Sequence, residues 1–237
     1  MNQRFWIAAI VGCTLCASSA YGFVDDFNDD VVDDALWDIA LKGSGPTIEE
    51  VNQRLQIRLP GSSHDAGDGV FAAGYRSKCL LQGDFDIQVD YELLDWPFSN
   101  GVRVGLGYGG IGVVTRSSLG TAADYGGLPR DVATLDVMGP AVFVVAVSMT
   151  GSLRLTRFGN VWTGFYREGD QWTQIGSSSG LASDIRVDIA AWSHDYAFTD
   201  HDVLIALDNF RINSGAGCDA PVNASPSTWG RLKSAYK

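Results

Sequence analysis

Cationic residues are scarce in this chain. Only 17 Lys and Arg stand against 28 Asp and Glu, for a formal net charge of -11 at pH 7. A nucleic-acid partner needs a basic face for its phosphates and is excluded on that balance; an anionic membrane surface is disfavoured for the same reason. Charged residues of both signs are few, 19%, beside 46% hydrophobic residues, which excludes wholesale disorder and allows a real core. No apolar run reaches the roughly 20 residues that span a bilayer as a helix, so no transmembrane segment is expected. Long helical periodicity and internal repeats are also missing. The 237 residues suit one globular domain with a tail.

What is present begins with a leader. Met1-Asn-Gln-Arg4 is a positive start, Phe5 to Cys16 is apolar, and Ala17-Ser-Ser-Ala20-Tyr-Gly22 supplies the small residues of an export cleavage site. Residues 1–22 are therefore read as a signal peptide, and the protein as secreted, periplasmic or at the cell surface. A second reading stays open: Ile10-Val-Gly-Cys13 matches a bacterial lipoprotein box, which would place a lipid on Cys13. Removal of the leader also removes Cys13 and Cys16, leaving Cys79 and Cys218. Outside the cytoplasm that pair predicts a disulfide, with two buried free thiols as the alternative.

Apolar residues then recur at every second position. In Asp84-Phe-Asp-Ile-Gln-Val-Asp-Tyr-Glu-Leu93, Phe85, Ile87, Val89, Tyr91 and Leu93 share one face, and Asp86, Gln88, Asp90 and Glu92 the other. That is a half-buried antiparallel strand. Leu55, Ile57 and Leu59 repeat the pattern, as do Val102, Val104 and Leu106, then Leu153 and Leu155, then Val187 and Ile189. Ala141 to Met149 is apolar throughout and predicts a strand covered on both faces; Val203 to Ile212 closes the series. Gly61-Ser-Ser, Pro97 to Gly101, Met149-Thr-Gly151, Glu168-Gly-Asp170 and Gly176 to Gly180 predict turns, and Gly105 to Gly127 a partly irregular excursion. The fold class is all-β, a sandwich or barrel. Residues 214–237 are read as a linker followed by a basic amphipathic tail. There Trp229, Leu232 and Tyr236 would share a helical face beside Arg231, Lys233 and Lys237, as a sorting or anchoring signal, a latch on the acidic domain or a frayed end.

The hairpin-like stretch Gly151-Ser-Leu-Arg-Leu-Thr-Arg157, with Trp162, Tyr166, Gly169 and Trp172-Thr-Gln-Ile-Gly176, adds a likeness. Together with Gly83-Asp-Phe-Asp-Ile87 and Leu207-Asp-Asn-Phe-Arg-Ile212, it resembles the concanavalin A-like lectin/glucanase superfamily, in particular laminin-G-like and DUF1349-like jelly rolls of secreted bacterial proteins. The resemblance covers residues 23–213. It implies a two-sheet antiparallel jelly-roll β-sandwich that often binds carbohydrate on a concave face or its rim.

Candidate ligand-binding residues follow from outward polarity and from aromatic rings. They are Asp86, Gln88, Asp90 and Glu92, with Arg103 and Arg186 at corresponding outward positions of other strands, and Trp96 and Trp192 as platforms for a pyranose ring. Asp26 and Asp208 are candidate ligands of a structural calcium ion, because the first and last strands of many jelly rolls are neighbours. Glucanases of the superfamily carry a Glu-x-Asp-x-Glu strand. Here Asp90-Tyr-Glu92 or Asp84-Phe-Asp86 stands in its place and the leading Glu is missing. The expectation is therefore a non-catalytic module that recognises a glycan or cell-surface polysaccharide, with no catalytic residue assigned. The alternatives are a glycoside hydrolase using Asp86, Asp90 or Glu92, and a structural module of a cell-envelope or extracellular assembly.

Overall fold

A computed structural model describes residues 24–110, 113–121, 131–137, 141–146 and 148–218, with the backbone alone at 109–110 and 113–121. The leader with Cys13, and residues 219–237, lie outside the described residues. Every regular element among the described residues is a strand. In chain order these are β1 (Val24–Asp25), β2 (Trp37–Lys42), β3 (Thr47–Glu50), β4 (Leu55–Leu59), β5 (Val70–Ser77), β6 (Gln82–Asp95), β7 (Arg103–Gly110), β8 (Val113–Thr121), β9 (Asp131–Asp136), β10 (Val142–Val145), β11 (Thr150–Phe158), β12 (Val161–Glu168), β13 (Gln171–Ser179), β14 (Asp188–His194) and β15 (Val203–Ala216).

They form two antiparallel sheets. One runs β13-β12-β11-β6-β15-β4-β3, with β1 added on β15; the other runs β10-β9-β8-β7-β14-β5-β2. The two-residue alternation decides which faces meet. Phe85, Ile87, Val89, Tyr91 and Leu93 of β6 are buried together with Leu153 and Leu155 of β11 and Leu55, Ile57 and Leu59 of β4. Opposite them lie Phe71, Ala73 and Tyr75 of β5, Val104 and Leu106 of β7, and Ile189 and Ala191 of β14. The fold is the expected all-β sandwich. First and last strands are neighbours, with Val24 opposite Arg211 and Asp25 opposite Phe210.

β15 changes phase along its length. Val203, Ile205 and Leu207 face the core at odd positions, Phe210 and Ile212 at even ones. The register shift between Asp208 and Arg211 supplies the extra residue, and Asn209 adopts a left-handed φ of 49° there. Asn tolerates that backbone better than β-branched residues do.

Three local expectations change. Ala141 to Met149 is not a doubly covered strand: β10 spans only Val142–Val145 and pairs only with β9, so Val142, Phe143 and Val145 are exposed. Gly176 to Ser179 does not turn but continues β13, an edge strand whose partner β12 carries a bulge between Gly164 and Phe165. Of the stretch from Gly105 to Gly127, residues through Gly110 and from Val113 to Thr121 are regular strand, and the rest lie outside the described residues. The closing strand runs to Ala216, and Cys218 is disulfide-bonded to Cys79 with Cα atoms 5.2 Å apart.

Candidate functional site

The outward side chains of β6 meet those of its two neighbours, β11 and β15, and of β12 beyond β11. Asp90 lies opposite Ser152 of β11, which lies opposite Arg167 of β12; on its other side Asp90 lies opposite Asp208 of β15. One row across the sheet thus reads Arg167, Ser152, Asp90, Asp208. The Ser152 hydroxyl donates to Asp90 at 2.5 Å, Arg167 donates to the Ser152 oxygen at 2.8 Å, and the Arg167 guanidinium stands 3.6 Å from the Asp90 carboxylate. One step along, Arg54 donates to Glu92 at 2.5 Å. These residues, with Gly151, Gly169 and Asn209, line a depression of about 370 Å³.

The two facing carboxyls sit in different surroundings. Burial raises the pKa of Asp208 above the ordinary aspartate value, and the charges of Asp90 and Asp26 raise it further. The backbone N–H of Asn209, which donates to Asp208 at 2.6 Å, and the charge of Arg54 work the other way. Asp90 has a hydroxyl donor and a guanidinium beside it. A carboxyl biased toward its protonated form thus stands opposite one that accepts from a hydroxyl.

The remaining candidates sort by sheet. Asp86 accepts two bonds from Arg154, at 2.8 and 2.5 Å, and a third from Asn213, so its oxygens are engaged away from the depression. Gln88 accepts from the same Asn213. Arg154 and Arg167 both lie over the Trp172 ring, 5.7 and 5.1 Å from its centroid. Arg103 and Trp192 face one another across β7 and β14 in the opposite sheet, so they do not line the same surface as Asp86 to Glu92. Arg186, just before β14, reaches Asp38 of β2 at 3.4 Å and also belongs to that other side. Alternation along a strand tells inside from outside but cannot tell which sheet's outside.

Trp96 is corrected from exposed platform to core residue. Its ring is 9% exposed, packs in the hydrophobic cluster and donates Nε1 to Asp131 at 3.0 Å. Trp192 is also buried, at 8% exposed, though it lies outside the main core cluster. The open aromatic ring of that region is Tyr196, 78% exposed and stacked on His194. Asp26 is near enough to Asp208 to affect its ionisation, but among the described residues no group of three or more His, Cys, Asp or Glu side chains is arranged to hold a metal ion.

Arg54, Ser152 and Arg167 escaped sequence reasoning. Ser152 and Arg167 occupy ordinary outward positions on their strands and Arg54 immediately precedes β4; only the pairing of β11 with β6 and β12, and of β15 with β4 and β6, brings them to Asp90 and Glu92.

No protein-family model and no curated protein matches the sequence. Solved structures do. A β-1,3-glucanase from Mycobacterium marinum superposes with a TM-score of 0.57 at 11% identity, covering 82% of this chain and 99% of that one. The catalytic domain of a GH131 β-glucanase from Podospora anserina gives 0.56 at 12% identity, over 78% and 88%. A β-1,3-1,4-glucanase (lichenase) from a mouse hindgut metagenome gives 0.54 at 11% identity, over 81% and 98%. The chain shares the jelly-roll fold of these glucanases. These neighbours overturn the expectation of a non-catalytic recognition module, since all three are named as hydrolases.

Proposed function

We propose that the domain is a glycoside hydrolase acting on a polysaccharide, with Asp90 and Asp208 as its two carboxyls. The observation that carries this reading is their apposition across one strand pairing at the floor of the depression. Cross-strand neighbours hold their Cβ atoms about 4.5–5.5 Å apart. Side chains that leave neighbouring strands at that spacing can bring their carboxyls to the roughly 5 Å of a retaining pair. In this mechanism Asp208, as carboxylic acid, donates its proton to the glycosidic oxygen. Asp90, aimed by Ser152 and charge-balanced by Arg167, attacks the anomeric carbon. Asp208 then takes a proton from the water that releases the glycosyl group. Glu92 and Arg54, at the rim, are placed to bond sugar hydroxyls. The fold shared with glucanases supports the reaction class, and the Cys79–Cys218 disulfide supports an exported protein.

A second placement of the same reaction rests on the other sheet. Ala40, Gly74, Ala190 and Gly105 are successive partners across β2, β5, β14 and β7, giving a row of small residues at right angles to the strands. Beside it the Arg76 guanidinium holds Asp188 at 2.7 Å. Such a row suits an extended chain of sugars, but its neighbouring carboxylate is already paired.

Reducing-end release from β-1,3-glucan and mixed-linkage β-glucan tests both. Loss of activity in Asp90→Asn and Asp208→Asn, with activity kept in Asp188→Asn, supports the first placement. The reverse result moves the reaction to the second. No release by the wild-type protein from these or other plant, fungal and mucin glycans counts against hydrolysis altogether.

A further inference from the structure

The row of paired residues that holds the two carboxyls runs on past the depression. Asp208 lies opposite Asp90, Asp90 opposite Ser152, Ser152 opposite Arg167, and Arg167 opposite Trp172 on the edge strand β13. Trp172 is thus three strand spacings from Asp90, about 14 Å across the sheet. That is the reach of a short oligosaccharide and beyond the reach of a single sugar. Trp162, on the neighbouring strand, is fully buried in the core, whereas Trp172 sits on the outward face and is only half-buried.

The surroundings hold the Trp172 ring in place. The Arg167 guanidinium lies 5.1 Å from the ring centroid and the Arg154 guanidinium 5.7 Å from it. Both head groups are anchored: Arg167 donates to Ser152 at 2.8 Å, and Arg154 donates to Asp86 at 2.8 Å. The Phe165 ring, a diagonal neighbour of Trp172 across β12 and β13, is 5.5 Å from the same Arg154 head group. A ring fixed in this way loses little freedom when a ligand stacks on it. The path from the carboxyl pair to the ring is open. The β12–β13 turn at Gly169 borders the depression, and a Cβ built on that glycine would meet no heavy atom within 4 Å. The contact to Ser152 uses one of the five N–H donors of Arg167.

We propose that Trp172 is a stacking platform for a chain of pyranose sugars, a subsite three strand spacings from the carboxyl pair, with Arg167 donating to sugar hydroxyls between the two. A pyranose has a flat apolar face for the indole and hydroxyls at its edge for the guanidinium. This subsite rests on the reading that the depression holds the glycan, and it gives the bound chain a direction, across the strands from β15 toward the β13 edge. An oligomer long enough to reach Trp172 gains a contact that a disaccharide at the carboxyl pair does not make. The platform therefore favours long substrates over short ones.

The probe is laminarihexaose, a linear β-1,3-glucan oligomer, with laminaribiose as the short control. Asp90→Asn protein labelled with 5-fluorotryptophan is titrated with each, and Trp172→Phe identifies the Trp172 resonance by its disappearance. That resonance should move saturably with the hexaose and stay in place with the disaccharide. In the active protein, Trp172→Ala should raise KM for the hexaose about 10-fold with kcat unchanged, and Trp172→Phe should recover most of the loss. A Trp172 resonance unmoved at millimolar hexaose overturns the platform, whether or not the wild-type protein turns glucan over. Equal KM for the hexaose in Trp172→Ala and wild type does the same, as does an equal shift with the disaccharide. A saturable, hexaose-specific shift in a protein without turnover supports the platform and overturns the hydrolase reading alone.

Discussion

Asp90 on β6 and Asp208 on β15 are direct partners across an antiparallel pairing. Two carboxylates in that position repel, and like charges opposite one another destabilise a sheet. The Asp208 pKa is raised, chiefly by burial and then by its neighbours, so its contribution to stability is present below the ordinary aspartate value and is lost as pH rises through the folded value. Asp208→Asn should therefore be more stable than wild type at pH 7 and show no gain at pH 3, in urea titrations. Asp90→Asn should move the carboxyl titration of Asp208, followed by ¹³C NMR, toward lower pH. An unmoved titration would show that the two groups do not interact.

Asn209 makes the carboxylate pair possible. Its left-handed residue lets Leu207 and Phe210 both face the core while Asp208 stays opposite Asp90. Asn209→Gly should be tolerated within a few tenths of a kcal/mol, whereas Asn209→Val should cost about 1–2 kcal/mol. Thermal melts of the two variants check this. Equal melting temperatures would mean that the bulge does not depend on residue 209.

Trp96 separates packing from recognition. Its buried ring and its hydrogen bond to Asp131 predict that Trp96→Ala costs about 3–5 kcal/mol. Trp96→Phe keeps the ring, loses the bond and should cost about 1–3 kcal/mol, with unchanged KM for any polysaccharide the protein cleaves. A raised KM at undiminished stability would return Trp96 to the substrate.

Glu50 is a built-in pH sensitivity. Its side chain lies in the buried cluster, accepts from the Tyr75 hydroxyl at 3.1 Å, and is raised to about 7, mainly by burial. The stability it contributes is complete below the ordinary glutamate value and is lost as pH rises through about 7. Glu50→Gln, which keeps an acceptor for Tyr75, should match wild type at pH 4.5 and exceed it at pH 8.5 by up to about 3 kcal/mol. Denaturation curves at the two pH values decide, and an equal difference at both would contradict the assignment.

How much of this was legible in the residues depends on the range of the signal. The alternation in Phe85 to Leu93 is local, so the strand and its buried face could be read directly. The phase change from Val203, Ile205 and Leu207 to Phe210 and Ile212 is also written in the sequence, but its meaning needs the bulge at Asn209. Partnership between strands is not local. Arg167 comes to Asp90 through two successive pairings, and Arg103 lies on the other sheet although its strand shows the same alternation. Trp96 misled for a related reason. A ring beside Pro97 in a turn-like stretch reads as exposed, yet Asp131, distant in sequence, gives its N–H a buried partner. The facing of Asp208 and Asp90 is of the same kind: it follows from the pairing of β15 with β6 and from nothing local to either residue.

On the proposed reading, one carboxyl pair on the sheet containing β6 does the chemistry. Its most direct test is the rate of reducing-end formation from β-1,3-glucan and mixed-linkage glucan by wild type, Asp90→Asn, Asp208→Asn and Asp86→Asn, each shown to be folded. The account predicts turnover by wild type, a loss of roughly 10³-fold or more in the first two variants, and near-wild-type turnover in Asp86→Asn, whose oxygens are occupied by Arg154 and Asn213. Undiminished turnover without Asp90 or without Asp208 would contradict it.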